Sequence, residues 1–363
     1  MENYIKNKWY LEDILTIQYL NNLDIKKIHY IIEKYDSIDE LIRLKSEFQD
    51  ELFGNAVTKA RDEAKRQIEL CNKESIRIIT FWDSEYPRLL KEIQSAPTVL
   101  YIKGTLQSSD AISISIVGTR KNTSYGALCT ELFAEFFAKN GIIITSGLAD
   151  GIDRIAHKSA LNAKGFTYAV LGSSLDKIYP VSSERIFHQI YESGGAIISE
   201  YKLGTITRPQ YFVQRNRIIS GISKATIIVE SKKKGGALIT ADFAFEQDRE
   251  LYAIPGKINS PTSEGTNYLI HLNKAKLIQN PEQVLLDLNF SFQNSTRIIS
   301  SQNAKFDDKN EQLIYDVIND EPIHIDTIVE KTQLDISEVL VKLLNMEFNG
   351  FVKQIPGKYY IKK

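Results

Sequence analysis

The stretch SIVGTRKNTSYG, residues 115–126, places two cationic side chains shortly after an apolar run and a glycine. A dinucleotide-binding loop needs three glycines at fixed spacing after a strand, because its backbone must close on a pyrophosphate. Only Gly118 and Gly126 are present here, and Arg120 and Lys121 stand between them. The segment therefore departs from the dinucleotide pattern by carrying cations where such a loop carries glycines.

Phosphate-binding residue types also follow other apolar runs of the chain. They come after GIIITS, TYAVLG, GAIISE and ATIIVE, and they are Gly147, Gly151, Ser173, Ser174, Lys177, Arg208, Arg215, Asn216, Arg217, Ser231, Lys232, Lys233, Lys234, Gly235 and Gly236. Free N–H groups at helix starts and arginine side chains both favour phosphate. Taken singly, each cation is typical of a surface charge or ion pair, and each glycine is typical of a turn.

An alternation of strands and helices must position these residues. From Ile112 to about Leu288, the apolar runs alternate with segments such as ALCTELFAEFFAKN and ITADFAFEQ, whose apolar residues recur at helical spacing. This order predicts an α/β fold with a Rossmann-like, doubly wound, mostly parallel sheet. Since such sheets bind ligands beyond the carboxyl ends of their strands, we expect the strand-end residues to form one phosphate-binding crevice.

Helical blocks flank the predicted sheet. Apolar residues recur at helical spacing from Trp9 to about Leu70, and a connector containing Pro87 and Pro97 follows. After the polar segment NSTRIISSQNAKFDDKN, three helical patterns and a hairpin pattern predict a winged helix. We therefore predict a small helical domain over 1–75, a Rossmann-like domain with its connector over 76–290, a linker over 291–309 and a winged-helix domain over 310–363.

The composition is that of an ordinary globular protein. The chain has 363 residues, 43% of them hydrophobic, and a formal net charge of −1, so any affinity for nucleic acid must come from a local patch. Cys71 and Cys129 predict neither a disulfide framework nor a metal site. The start of the sequence has no leader pattern, and no stretch approaches the ~18 apolar residues of a membrane span. We expect a cytoplasmic protein with no membrane contact.

Long motifs of the predicted sheet domain resemble those of one protein family. In order along the chain come VGTR, SGLADGIDRIAHKSAL, VLGSSLDKIYP, ISEY, QRNRIISGISKATIIVES, GGALITADFA, RELYAIPGKI and SEGTNYLI. They resemble the DNA-processing protein A (DprA or Smf) family, whose helical domain of SAM or helix-hairpin-helix type and C-terminal winged helix resemble the two flanks. The sequence shows no nucleophile paired with a base, no carboxylate pair with a role of its own and no clustered metal ligands, so we expect no enzyme, cofactor or metal. The resemblance implies a homodimer. It would bind and protect incoming single-stranded DNA and help to load a RecA-type recombinase during natural transformation and recombination.

The resemblance also implies a set of site residues, to which the strand-end pattern adds Lys121 and Lys234. Because a DNA strand repeats its phosphates along its length, several separated cations suit it better than one glycine cradle. The expected DNA-binding set is Gly118, Arg120, Lys121, Ser146, Gly147, Lys177, Asn216, Arg217, Lys234, Gly235, Gly236 and Thr240. Among them, Arg120, Lys177 and Arg217 are expected to pair with phosphates. The expected loop-structuring residues are Gly151, Asp153, Asp176, Tyr179 and Pro180.

The sequence departs from the family pattern most clearly at Asp248. The family usually has a glycine immediately before the residue that corresponds to Arg249. A glycine at a turn often marks a backbone conformation that other residues rarely adopt. We therefore expect this turn to differ locally.

Two alternative functions stay open on the sequence. The stretch KKGGALITADFA partly resembles the PGGxGTxxE loop of nucleoside monophosphate phosphoribohydrolases, but Leu238 and Ile239 replace its second Gly-Thr pair, and Asp242 is the nearest acid. His157 lies in a helical pattern that favours a structural hydrogen bond over catalysis. A nucleotide-binding sensor without turnover would use the same crevice as DNA.

The predicted winged helix is acidic. From 307 to 347, three cations, Lys309, Lys331 and Lys342, face a larger set of acids: Asp307, Asp308, Glu311, Asp316, Asp320, Glu321, Asp326, Glu330, Asp335, Glu338 and Glu347. Winged helices normally read duplex DNA, but such a surface repels phosphate. We therefore predict that this domain contacts protein or regulates, and does not carry the main DNA site.

Overall fold

The chain forms two compact units, Met1–Ser291 and Phe292–Lys363. The computed structural model describes residues 9–20, 23–46, 51–290, 306, 308–319, 321–348 and 351–362. Within these ranges, no helix combines the length and the apolar character needed to cross a lipid bilayer.

One mixed sheet forms the centre of the first unit. Its strands are β1 (Ile76–Thr80), β2 (Val99–Gly104), β3 (Ser113–Val117), β4 (Ile143–Ser146), β5 (Thr167–Val170), β6 (Ala196–Ser199), β7 (Ala225–Ile228), β8 (Glu250–Ala253) and β9 (Lys276–Leu277). They lie in the order β1-β2-β6-β5-β4-β3-β7-β8-β9. The pairs β1-β2 and β2-β6 are antiparallel, and all pairs from β6 to β9 are parallel. Strands β3 to β7 are fully buried, as expected where helices cover both faces. The predicted Rossmann-like, doubly wound sheet is confirmed.

Helices pack on both faces of this sheet. They are α5 (Arg88–Lys91), α6 (Ser124–Lys139), α7 (Ile152–Asn162), α8 (Glu184–Glu192), α9 (Pro209–Ile222), α10 (Gly236–Glu246), α11 (Glu264–His271) and α12 (Pro281–Asp287), numbered after four N-terminal helices described next. Helices α5, α9, α10 and α11 cover one face, while α6, α7, α8 and α12 cover the other. Burial of Phe133 and Phe137 against Ile114 and Ile116 stabilises this second face by about 1.5–3 kcal/mol per side chain.

The N-terminal helices share their core with the sheet. They are α1 (Leu11–Tyr19), α2 (Ile25–Lys34), α3 (Ile38–Ser46) and α4 (Glu51–Lys73). Trp9, Ile14 and Ile32 are buried in the same cluster as Tyr101 of β2 and Leu171 after β5. The helices predicted over 1–75 are therefore part of the first unit and not a separate compact domain.

Asp248 shows how the chain departs from the glycine pattern. Its backbone is left-handed, with a φ of 53°, a conformation that aspartate tolerates better than most residues. Arg249 donates to the Leu89 carbonyl at 2.6 Å and pairs with Glu92 at 3.2 Å. The turn thus adopts a glycine-like conformation without a glycine.

The second unit is a winged helix, as predicted. Its elements are α13 (Lys309–Val317), β10 (Ile323–His324), α14 (Ile325–Thr332), α15 (Ile336–Phe348), β11 (Val352–Ile355) and β12 (Tyr359–Lys362), with the strands in the order β10-β12-β11. Asp308 accepts from the N–H groups of Asn310 and Glu311 and so caps α13, while Phe306 packs on Tyr315. This unit therefore includes the last residues of the predicted linker. The rest of that linker, 291–305 and 307, and the acid at 320 lie outside the described residues.

Candidate nucleic-acid interface

A crevice opens where the strand order reverses, between the carboxyl ends of β3 and β7. Helices that follow these two strands lie on opposite faces, so the loops diverge and leave a gap, as at other doubly wound switch points. The gap has a volume of about 370 Å³. Its walls include Gly118, Thr119, Arg120, Asp153, Phe212, Val213, Arg215, Asn216, Lys232, Lys234, Gly235, Gly236 and Thr240.

The loop between β3 and α6 carries Arg120 into this crevice. It is anchored by Glu230, whose carbonyl accepts from Thr119 N at 2.8 Å. The buried Glu230 carboxylate accepts from Thr123 N at 2.9 Å and Thr123 Oγ1 at 2.6 Å, and Thr123 Oγ1 in turn caps α6 through Gly126 N. Glu230 is thereby used within the loop, and Arg120 and Lys121 remain exposed. Lys121 lies outside the residues that line the crevice.

Glycines bring the second loop, between β4 and α7, against the first. A Cβ at Gly118 would lie 2.6 Å from Ile152 Cγ1. Gly151 has a φ of 81°, and a Cβ there would collide with the Thr119 carbonyl and the Arg120 backbone. Both glycines therefore permit a close loop contact, which sets the position of Arg120.

A buried pair, Arg215 and Asp153, lies beneath these loops. Arg215 is 5% exposed and donates through Nη1 to the carbonyls of Gly147, at 2.7 Å, and Val170. Asp153 accepts from Gly147 N at 3.1 Å. Burial raises the pKa of Asp153 although Arg215 lowers it, and burial lowers the pKa of Arg215 to about 10. The pair fixes the second loop from below.

The N-terminus of α10 forms the opposite wall. Gly235 caps the helix and Gly236 opens it, and a Cβ on Gly236 would meet no heavy atom within 4 Å. The first N–H groups of a helix have no intrahelical acceptor and carry a partial positive charge. Lys232 and Lys234 are exposed beside them. Among the described residues, no carboxylate pairs with Arg120, Lys232 or Lys234. The crevice therefore has unpaired positive charge on both walls, which can bind an anion.

An aromatic pair borders the crevice on the side of the loop after β5. The rings of Tyr179 and Phe212 are tilted with centroids 5.2 Å apart, and Tyr179 is 51% exposed. With Arg120 and Pro180 they line a smaller pocket of about 40 Å³. Lys177, two residues before Tyr179, is exposed, and Asp176 Oδ2 accepts from Gly204 N at 3.1 Å.

Comparison with known proteins agrees with this architecture. Residues 77–289 match the family model described as DNA recombination-mediator protein A, and residues 300–358 match the DprA winged helix domain. The chain belongs to the DNA recombination-mediator protein A family.

Members of this family are similar to the chain over most of its length. Protein Smf from Escherichia coli is 37% identical over 285 residues, which cover 76% of this chain and 75% of that protein. The X-ray structure of DNA processing protein A from Streptococcus pneumoniae superposes with a TM-score of 0.59 at 29% identity, covering 77% of this chain and 98% of that one. DNA processing protein A from Helicobacter pylori, described for its single-stranded DNA binding mode, gives 0.53 at 30% identity, covering 59% and 95%.

Four residues of the expected DNA-binding set are not part of the crevice lining: Lys121 and Lys177 are exposed outside it, while Arg217 and Ser146 are buried. Arg217 is 8% exposed and is held by the Glu200 carboxylate and, at 2.7 Å, by the Ser95 carbonyl. Ser146 is fully buried and donates through Oγ to the Ile116 carbonyl at 2.7 Å, inside the sheet. The assignments of Arg217 and Ser146 to DNA are corrected here, because the polar atoms of both side chains are occupied by internal partners.

Arg215 is the crevice residue that sequence reasoning missed. It is one of the strand-end cations, but the expected DNA-binding set contains Arg217 and not Arg215. Residues two apart on a helix point in different directions, so only the rotation of α9 decides which one faces the crevice. Asn216 lines the crevice and accepts from Arg215 Nε at 3.2 Å.

The two residues considered for an enzymatic role, Asp242 and His157, lie outside the crevice lining. Asp242 is exposed on α10, pairs with Lys274 at 3.3 Å and is not part of the crevice lining. His157 is fully buried, shares a 2.7 Å hydrogen bond with Thr167 Oγ1, and has its pKa lowered to about 3 by burial. Within the described residues, no group of three potential metal ligands is assembled.

Proposed function

We propose that this chain binds single-stranded DNA along the crevice between β3 and β7. The observation that supports this most is the group of exposed cations that no carboxylate of the described residues pairs with, Arg120, Lys232 and Lys234, around the open N-terminus of α10. Proteins that bind single strands combine a cationic groove with aromatic platforms. Tyr179 and Phe212 supply such aromatic surface next to Arg120.

The further steps of the proposal rest on family membership. A strand held in this crevice would be protected and presented to a RecA-type recombinase during natural transformation, with the chain acting as a homodimer and without enzymatic turnover. The buried Cys71 and the partly buried Cys129 are free thiols, which fits a cytoplasmic location. The likeness of the N-terminal helices to a SAM or helix-hairpin-helix domain stays a prediction.

A nucleotide-binding sensor is the second candidate, because the crevice volume of about 370 Å³ falls in the range of small-molecule sites. The discriminating experiment compares binding of single-stranded DNA, duplex DNA and free nucleotides at several salt concentrations. We expect single strands to bind tightest, with an affinity that falls steeply with salt. Tight, salt-insensitive binding of a nucleotide alone would favour the sensor.

The structure also makes a prediction about enzymatic activity. Incubation with nucleoside monophosphates should release no free base above the buffer control, because Asp242 lies outside the crevice lining and pairs with Lys274. Base release is measured by chromatography. Glu246 is an exposed acid on the same helix and serves as the control. Turnover that disappears in Asp242→Ala but persists in Glu246→Ala would instead establish phosphoribohydrolase activity.

The winged helix offers little for DNA to bind. On α15, which would be the DNA-reading helix, the exposed side chains of Ile336, Leu340, Val341 and Leu344 are apolar and 42–66% accessible. Lys342 of the same helix is already paired with Asp308 and Glu311. Among the described side chains of α15, none supplies the free cation that DNA recognition uses. We therefore propose that the unit contacts protein or regulates.

Removal of the winged helix tests this assignment. A chain ending at Asn294 keeps the whole first unit, so its affinity for single-stranded DNA should stay within about threefold of the full chain, or about 0.6 kcal/mol. Affinity is measured by fluorescence anisotropy, and folding by the emission of Trp9 and Trp82. Loss of nearly all binding from a folded truncated chain would place the main site in the winged helix.

A further inference from the structure

Helix α4 makes a specific contact with the loop between β6 and α9. The Gln67 side chain is fully buried and forms two hydrogen bonds to one residue. Its Nε2 donates to the Leu203 carbonyl at 3.0 Å, and its Oε1 accepts from Leu203 N at 3.1 Å. A side-chain amide that satisfies both polar groups of a distant loop residue fixes that residue in position and orientation.

An ion pair reinforces this contact one turn away on α4. Glu63 lies 2.6 Å from Lys202 and also accepts from Gln67 Nε2 at 3.1 Å. Hydrogen bonds from Arg66, Lys202 and Gln67 lower the pKa of Glu63 to about 2, so the pair stays ionised at neutral pH. The Lys202 ammonium also lies 4.6 Å from the centre of the Tyr19 ring on α1.

The same loop touches both elements that border the DNA crevice. Gly204 N donates to Asp176 at 3.1 Å, which ties the loop to the segment carrying Lys177 and Tyr179. Tyr201 stacks on Tyr211 of α9, with ring centroids 4.3 Å apart and planes 23° apart. Tyr211 precedes Phe212, which lines the crevice. A continuous chain of contacts thus runs from α4 to Phe212 in the crevice wall and to the segment that carries Lys177 and Tyr179.

The loop has few other supports. Gly204 has a φ of 83°, Ile206 is 74% exposed, and Arg208 is exposed before α9 begins. Thr205 bonds only back to Lys202, through N at 3.2 Å and Oγ1 at 2.7 Å. The position of residues 204–208 therefore depends on the contacts of Lys202 and Leu203 with α4 and on the hydrogen bond from Gly204 to Asp176.

We propose that α4 serves as a brace for the DNA site, with Gln67 as a positioning residue that holds Lys177 and Phe212 in place through the loop between β6 and α9. The proposal rests on the DNA crevice proposed above. It gives the N-terminal helices a part in DNA binding without any contact between them and DNA.

The test uses Gln67→Met in the full chain, which removes both hydrogen bonds at similar volume. We expect a loss of affinity for poly-dT of about threefold to tenfold, smaller than that of Lys177→Ala, because a displaced Lys177 loses only part of a charge-assisted hydrogen bond of about 1.5–3 kcal/mol. The decisive measurement is a double-mutant cycle with Lys177→Ala. If Gln67 acts by placing Lys177, the double variant should lose little more than Lys177→Ala alone.

Two further variants complete the design. Lys202→Met breaks the half-exposed ion pair and should show the same non-additivity if Gln67→Met does not fold. Lys65→Met is the matched control, because Lys65 also lies on α4 but pairs only with Glu12 of α1, at 3.8 Å. It should bind like the parent chain.

The outcomes separate the brace from the site itself. Folded Gln67→Met and Lys202→Met proteins that bind poly-dT normally, or whose losses add fully to that of Lys177→Ala, overturn the brace while leaving the crevice proposal intact. If Lys177→Ala also binds normally, the role of this side of the crevice in DNA binding fails with it.

Discussion

Arg120→Ala should weaken the binding of poly-dT and of mixed-sequence single strands by the same factor, about tenfold to a hundredfold. That range corresponds to a hydrogen bond with a charged partner, about 1.5–3 kcal/mol. The two strands should suffer equally because a phosphate contact carries no base information. The slope of log affinity against log salt should flatten by about 0.7, the contribution of one phosphate contact on a single strand.

The measurement is a salt titration of binding for the parent chain, Arg120→Ala and Lys177→Ala, accompanied by thermal melts. Arg77→Ala is the matched control, since it removes the same charge from an exposed arginine on β1, where Arg77 pairs with Glu85. The melting temperature of Arg120→Ala should not fall, because this side chain is exposed. If both crevice variants stay folded and keep the parental slope and affinity, DNA does not occupy the crevice and the nucleotide sensor becomes the better function.

Arg215→Met should instead destabilise the first unit by about 2–6 kcal/mol, because two buried carbonyl groups each lose their donor at a cost of about 1–3 kcal/mol. The variant leaves Asp153 buried without its cation and takes the Nη1 donor away from the carbonyls of Gly147 and Val170. Burial of all these groups prevents water from replacing the guanidinium. Binding losses in this variant would therefore follow from the distorted loop between β4 and α7.

Chemical denaturation followed by tryptophan emission measures this effect on the first unit alone, because Trp9 and Trp82 are the two tryptophans of the chain and both lie in that unit. Arg120→Ala serves as the comparison, with an unchanged midpoint. Adding Asp153→Asn to Arg215→Met should recover part of the loss, since it removes the uncompensated charge. A midpoint for Arg215→Met equal to that of the parent chain would contradict the structural role.

The sequence determined the sheet and the edge at which the crevice lies, because apolar strands followed by helices leave few arrangements and parallel strands end on one side. Arg120 could be placed in the crevice for this reason, since it comes three residues after β3. The exchange of Arg217 for Arg215 could not be foreseen, because the sequence does not state the rotation of α9 about its axis. The wrong assignment of Ser146 has a similar cause. A hydroxyl at a strand end faces either the ligand or the neighbouring strand, and only the packing of the folded protein determines which.

The packing of the N-terminal helices on the sheet could not be predicted from the sequence for a different reason. Their amphipathic pattern shows that one face is buried but not against which surface. A self-contained helical bundle and helices packed on a sheet have the same apolar spacing. The role of Gln67 could not be predicted from the sequence, since its partners are the backbone N–H and carbonyl groups of Leu203, far along the chain.

The shared core of the N-terminal helices and the sheet has a practical consequence for dissecting the protein. The match to the family model begins at residue 77, which suggests a fragment boundary just before it. Such a fragment would open the contacts of Tyr101, Leu171 and Leu175 to solvent, since these buried side chains pack in the cluster that also contains Trp9, Ile14 and Ile32. Newly exposed apolar patches of this kind promote aggregation. Precipitation of the fragment would then show that the sheet has lost the N-terminal helices that bury its apolar side chains. It would not show whether the remaining residues can recognise DNA.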